Sequence, residues 1–433
     1  MVNGQWLMVI EMKAIKVIKI LSVYVAILCL FGCEKDDIIV KRQTDDKGVV
    51  IATPYLWKTS LHQNQPVSNR YIKNSIVYNE NIAVPRTNGT KSRMLSLINS
   101  KDGKEIWNWT DFDKDHTDYI DIYFHYQYKN LLTYQDGGRS YCINLIDGST
   151  HWKHRRGKSF GSQISSMGQY YFTYAPVTNS DGFEEHIAYK GNIHTGDIYE
   201  FLTANFTYEH PDCVRAVNWV VPVPEYKHLL LVTYAENLPD WITQIYFGLY
   251  HTEQKEWIWD KMQINPPQPY NNVWLSPQIE NNKIYAAVAN AIVCHDLITG
   301  KQLWKQNFDW DFLFTGYILE DGRVIANNED GHAYALDTET GTILWKVRTA
   351  GTSSRMSYLN GMVYFVGGSQ PYLFAIEAST GKIVWKINAA LLGEGYGAGF
   401  RTNAVYVLPA KDDQPAKVIA LSHLYAYCFK VYR

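Results

Sequence analysis

The sequence has almost no charge imbalance: 41 Lys plus Arg stand against 43 Asp plus Glu in 433 residues. It therefore lacks the bulk positive field that phosphate backbones require, and no nucleic acid partner is expected. Long apolar runs are equally scarce. The most conspicuous, residues 20–31, is too short to span a bilayer comfortably and argues against a transmembrane anchor. Motifs that carry chemistry are thin as well. The 13 histidines show no His-Glu-x-x-His or comparable metal spacing, and no Gly-x-Ser-x-Gly elbow occurs. No serine, cysteine and histidine set stands out for nucleophilic catalysis, and none of the six cysteines is adjacent to another. These gaps point away from an enzyme.

Aromatics, by contrast, are plentiful. They make up 14% of the chain, with 32 Tyr and 14 Trp, residues that favour pleated, half-buried strands and so an all-β body. The N-terminal stretch has a different character. Lys13, Lys16 and Lys19 precede the apolar run, which ends in Leu30-Phe31-Gly32-Cys33, giving a charged region, an apolar region and a processing site; Met12 would serve as a start. Leu-x-Gly-Cys in this place resembles the lipobox of bacterial lipoproteins, with Phe31 a less usual occupant of its slot. That resemblance implies a signal peptide over residues 1–32 and acylation of Cys33, with several acyl chains giving a stable membrane anchor. Glu34-Lys35-Asp36-Asp37 resembles the short acidic export signals that send lipoproteins of the Bacteroidetes to the outer face of the outer membrane; a merely solvated tether, with a periplasm-facing protein, is the alternative. Residues 33–48 are mostly polar and charged and are expected to form a flexible tether ahead of a body over 49–433.

Self-comparison exposes an eleven-residue pattern with a small residue, an acid or amide, a glycine and a tryptophan at fixed offsets. The cleanest copy has Ala335, Asp337, Gly341 and Trp345. The same offsets give Ala375, Glu377, Gly381 and Trp385; Cys294, Asp296, Gly300 and Trp304; Cys142, Asn144, Gly148 and Trp152; and Leu97, Asn99, Gly103 and Trp107. Two copies are worn. Asn192 and Gly196 survive with Tyr199 beside the tryptophan slot, and His251 and Lys255 replace acid and glycine ahead of Trp259. Ala420 and Ser422 are taken to begin an eighth copy that has no tryptophan.

The pattern encodes a β-hairpin: a strand runs up to the acid, the Asp or Asn side chain bonds the turn, glycine supplies positive φ, and the chain reverses into the tryptophan strand. A further apolar strand precedes each copy, the last of these expected at 405–408. Four antiparallel strands per unit is the signature of a propeller blade. The motif resembles the PQQ-like repeat, which quinoprotein dehydrogenases and the outer-membrane assembly scaffold lipoprotein share. The resemblance covers roughly residues 50–430 and implies that each tryptophan docks between neighbouring blades, over a small residue and the glycine peptide. An eight-bladed β-propeller is expected, with seven blades the alternative if the 200–259 unit is an insertion. Trp57 looks like the missing eighth tryptophan. Residues 49–58 are thus predicted to pair beside the C-terminal segment and close the ring.

Each candidate site competes with a plainer reading. The run Gly393-Glu394-Gly395-Tyr396-Gly397-Ala398-Gly399 resembles a phosphate cradle only in composition, and reads better as a loop into the central funnel with no helix. Asp111, Asp113, Asp115, Asp118 and Asp121 invite calcium, but His116 and Ile122 stand where an EF-hand series wants Gly and Glu, so a solvated acidic loop is expected and no metal. Cys142 and Cys294 read as small buried residues beneath tryptophans, whereas Cys213 and Cys428 could pair only if the fold brings them close. Arg355 and Arg401 precede strands of adjacent blades and are candidates for contacts to an anionic ligand in the funnel, against the plainer role of loop arginines.

The expectation is a monomeric, lipid-anchored binding scaffold at the outer membrane, holding a protein or glycan partner on one propeller face. Loops 108–120, 174–186 and 203–225 would contribute to that face. A quinoprotein oxidoreductase is the alternative that the repeat suggests. That class is longer, and its adjacent cysteine pair has no counterpart here, so neither PQQ nor calcium is expected. A carbohydrate-active enzyme on the same scaffold is the third reading.

Overall fold

The computed structural model describes residues 40–62, 76–87, 93–112, 125–136, 139–155, 165–178, 184–202, 214–238, 242–269, 271–309, 314–368, 371–395, 398–402 and 405–431. Cys33, the signal region, Cys213 and four of the five aspartates of the acidic loop lie outside them. Among the described residues no helix is long and apolar enough to cross a membrane.

The repeated hairpin folds as its residue types require. Asp337 Oδ1 accepts hydrogen bonds from the backbone N–H groups of Glu339 and Thr340 and from the Thr340 hydroxyl, so the acid ties down the turn it opens. The turn closes when Gly341 N–H donates to Asp337 O at 2.9 Å, with Gly341 at φ +72°, a conformation that disfavours any side chain. The extra residue makes a bulge between Ala335 and Leu336, and Ala335 then faces Trp345 across the ladder. Asn99, Asn144, Asn192, Asp296 and Glu377 open equivalent turns, each accepting from the glycine four residues on.

Eight four-stranded antiparallel blades result, the sheet count that the repeats predict. Blades 1 to 7 occupy residues 76–109, 125–155, 165–202, 214–263, 278–307, 314–348 and 357–387. The 200–259 unit is neither inserted nor missing: its strands Val214–Pro222, Leu229–Asn237, Ile242–His251 and Glu256–Gln263 make a full blade. Blade 8 is built from both ends of the chain. Tyr406–Leu408, Lys417–Leu421 and Tyr425–Lys430 supply three strands, and Trp57–Ser60 pairs with Tyr425–Lys430 as the fourth.

Two expectations at the ends need correction. The N-terminal segment is not one closing strand. Val50–Ala52 lies parallel to the Trp385 strand of blade 7 and only Trp57–Ser60 enters blade 8. The tether expected over 33–48 also gives way early, since Gln43–Thr44 turns through Asp45 to Gly48 and pairs with Val50–Ala52. In addition, the eighth copy is shifted by one strand. Residues 406–408 are innermost instead of second, and the small-residue slot opposite Trp57 is filled by Cys428 and not by Ala420. Cys428 thus matches Cys142 opposite Trp152 and Cys294 opposite Trp304. All three are free thiols, each pushed up to about 12 by burial.

Tryptophans lock neighbouring blades together. The indole N–H groups of Trp57, Trp107, Trp152, Trp259, Trp304 and Trp345 donate to Ser100, Leu145, Ile193, Leu297, Thr338 and Ala378 of the next blade, at 2.7–3.1 Å. In every case the acceptor lies three residues before the turn glycine, and the ring covers that glycine so closely that a Cβ at Gly341 would stand 2.5 Å from Trp304. Gly103, Gly148, Gly196, Gly300 and Gly381 meet Trp57, Trp107, Trp152, Trp259 and Trp345 in the same way. Trp385 finds no turn glycine in blade 8 and packs edge-on against Phe429. The worn junction is self-consistent. Glu200 occupies the tryptophan slot of blade 3, Tyr199 is 61% exposed, and the facing turn of blade 4 tolerates Lys255 at φ +57°. Phe201 against Tyr250 and a backbone bridge from His186 to Ala216 join those two blades instead.

Candidate binding cavity

Innermost strands are three or four residues long in six blades, nine in blade 4 and seven in blade 6, and side chains on and beside them lace one blade to the next around the axis. Tyr126 donates to Gly168 O, Ser165 to Val220 O and Ser357 to Val405 O. The Trp219 indole donates to Val273 O at 2.7 Å, Tyr317 to Ser276 O at 2.7 Å, and Gln278 to Tyr317 O at 3.1 Å. Thr315 and Ser353 share a hydroxyl–hydroxyl hydrogen bond of 3.0 Å, and the Ser353 N–H donates to Thr315 as well. Gly316 belongs to this lacing: a Cβ there would stand 2.7 Å from Ser354 O, so blades 6 and 7 approach through bare backbone.

Within this ring lies a cavity of about 540 Å³, lined by residues from blades 3 to 7 and the segment leading into blade 8. That volume is in the usual range of small-molecule sites. Beside aliphatic residues such as Val221, Leu275 and Ile318, its wall carries three kinds of group suited to recognition. Indoles come from Trp274, 54% exposed, and from half-buried Trp219. Hydroxyls come from Ser165, Ser166, Ser276, Thr315, Ser353 and Thr402. The sole charge among the described lining residues is Arg355, which is exposed and has no ion pair with any described residue.

The candidate residues read from sequence separate here. Arg355 lines the cavity; Arg401 does not, although its neighbour Thr402 does. Arg401 is half-buried with Nε and Nη2 lacking partners among the described residues, held below its ordinary pKa by burial, and its charge adds to the larger effect of burial in lowering the pKa of His423. The glycine run follows a short 3₁₀ turn, Ala389–Leu392, which Gly393 caps at φ +89°. From the three expected loops, Trp219, Val221 and Pro222 of 203–225 reach the cavity. Asp111 is taken up by Lys153 at 2.7 Å and by the Thr150 hydroxyl. His295 is buried in its hairpin with Nδ1 2.9 Å from Gly300 O. Trp219 lies within the expected 203–225 loop; Trp274 lies outside the three expected loops, and its signal in the sequence is that it is a tryptophan out of register with the repeat.

The cavity wall bears on the quinone alternative through the ligands it would offer a calcium ion. Its described lining offers no carboxylate for a hard cation, and the sequence has no adjacent cysteine pair.

Comparison with known proteins bears on the body alone. The family model described as outer membrane protein assembly factor BamB matches residues 273–357. No curated protein matches the chain. BamB from Moraxella catarrhalis superposes with a TM-score of 0.52 at 11% identity, covering 87% of this chain and 98% of that one. Sqt1 of Saccharomyces cerevisiae gives 0.58 at 12% identity over 88% and 99%. Quinohemoprotein alcohol dehydrogenase ADHIIG from Pseudomonas putida HK5 gives 0.57 at 11% over 87% and 76%. Likenesses at 11–12% identity to proteins as different as an assembly factor and an alcohol dehydrogenase carry fold and not activity. Repeat, blade geometry and these neighbours together identify the chain as an eight-bladed β-propeller of PQQ-like repeats.

Proposed function

We propose that this chain is a binding propeller, held at the outer membrane by acylation of Cys33, whose axial cavity receives a protein segment or glycan. The observation behind the reading is convergence: five blades and the entry to an eighth bring indoles, hydroxyls and one guanidinium to a single cavity, from inner strands and the loops beside them that are laced to one another by hydrogen bonds. Rigid elements with few soft groups suit recognition with little ordering on binding. The partial match to the assembly-factor model supports an outer-membrane setting and a scaffold role. A glycan array and cross-linking from membranes, run with the full chain and with Thr402→Trp, test this. Thr402 is exposed at the cavity wall, so an indole there fills space without disturbing the core. Ligands or partners should be lost in the filled variant. Identical recovery from both proteins refutes the cavity as the binding site, and a Cys33→Ser chain that stays in the membrane fraction refutes the anchor.

A further inference from the structure

We infer that the axial cavity takes an acidic saccharide, a short oligosaccharide carrying a carboxylate, with the Trp274 indole as stacking platform and Arg355 as the carboxylate clamp. The inference rests on the cavity being a binding site and adds the ligand's chemistry.

Charge sets the first requirement. Among the described lining residues Arg355 is the single ionised group, the others offering hydroxyl, indole, amide and aliphatic groups, and it is committed to no described partner. An uncompensated guanidinium in a concave wall concentrates positive potential there and offers a planar pair of donors that matches a carboxylate. One such group suits one carboxylate. A polyphosphate or nucleic acid would call for several cations.

The indoles set the second. Trp274 leaves over half its surface open where a smaller or more polar residue would avoid exposing an apolar ring. Its negative face attracts the polarised C–H bonds on the flat side of a pyranose. Trp219 stands in the same wall with its N–H already given to Val273 O, so its ring is fixed and ready as apolar surface.

Hydroxyls complete the match. Ser166 and Thr402 are exposed at the wall, and a hydroxyl both donates and accepts, as sugar hydroxyls do. Peptide recognition by added strand is poorly served. Of the inner strands at the cavity, Ser165–Met167 and Gln278–Glu280 are three residues long, the longer Val214–Pro222 ends in a proline without an N–H, as Pro277 also lacks one, and Phe314–Glu320 alone offers a longer edge without such a block.

Calorimetric titration of the detergent-solubilised full chain decides the matter, using trigalacturonate, a hyaluronan tetrasaccharide, the carboxyl-reduced forms of both, and a peptide with a free C-terminal carboxylate. A uronate probe should bind, with its carboxyl-reduced form about tenfold or more weaker, the loss expected for one charge-assisted pair. Arg355→Ala should abolish that discrimination and Arg355→Lys keep part of it. Trp274→Ala should weaken acid and reduced forms alike. Equal binding of acid and reduced sugar, discrimination that survives Arg355→Ala, binding of the peptide alone, or no uronate binding at all overturns the inference. If Thr402→Trp still removes ligands found on the array, the cavity remains the binding site and only the ligand class is wrong.

Discussion

At the scale of single residues, the fold turns on a pairing between an indole and a missing side chain. Gly341 is under Trp304, which is 9% exposed and gives its N–H to Thr338 O. Trp304→Ala should destabilise by about 3–5 kcal/mol, as large core truncations do. Gly341→Ala forces a methyl into the ring, an overpacking effect of about 1–3 kcal/mol, and puts a side chain at positive φ for about 1–2 kcal/mol more. With the indole removed, only the second effect should remain. Chemical denaturation of the two single variants and the double variant measures the coupling, and additivity to within about 0.5 kcal/mol would contradict direct contact between the two. These residues were legible because the contact recurs: tryptophan and glycine appear together at 57 and 103, 107 and 148, 304 and 341, and disappear together at Glu200 and Lys255. Trp274 stands out in the sequence only as a tryptophan off the repeat; that it shares one cavity with Trp219 depends on where five blades converge, which no local spacing encodes.

Strands and blades show where the repeat stops informing. The register of blade 8 is hidden because its third and fourth strands, Tyr425–Lys430 and Trp57–Ser60, come from opposite ends of the chain, so no hairpin turn joins them and no turn glycine marks the slot. Without that marker the spacing points to Ala420, although cysteine at 142 and 294 in the same slot points to Cys428. Trp57 is close to the start of the described chain, where substitutions are usually tolerated. Here it is 7% exposed and joins blade 8 to blade 1 through Ser100 O. Trp57→Ala should therefore lower stability by about 3–5 kcal/mol, as much as Trp304→Ala, measured by urea denaturation. The seam between blades 7 and 8 adds a pH dependence. Both Glu394 oxygens are buried without a hydrogen bond of normal length, and burial raises the carboxyl pKa against the smaller opposing pull of Ser422, Tyr427 and Lys58. A carboxyl raised in the folded state binds its proton more tightly there than when unfolded. Its contribution is complete below about 4.5 and is lost as pH rises through the raised value. Glu394→Gln should gain stability relative to the parent between pH 4.5 and 7, read from denaturation midpoints; an unchanged difference across that range would show that Glu394 does not titrate in this window.

For the whole molecule, closure is what separates this ring from an open stack of sheets. The N-terminal strand Trp57–Ser60 covers the edge of Tyr425–Lys430 and seals Cys428, whose thiol is inert while buried opposite Trp57. A chain lacking residues 1–60 loses that strand, the indole in the groove of blade 1, and the hairpin against blade 7. It leaves blade 8 with three strands and an unpaired edge, the geometry that recruits another chain. The truncated protein is expected to self-associate on size-exclusion chromatography and to react at Cys428 with a maleimide at neutral pH, where the parent does not. A synthetic peptide of residues 49–62 added in trans should restore both the monomer and the protection, since the strand is held by pairing and docking and not by the link that follows it. A truncated chain that stays monomeric with Cys428 unlabelled would mean that the remaining blade interfaces hold the ring shut, and that the terminal strand only decorates it.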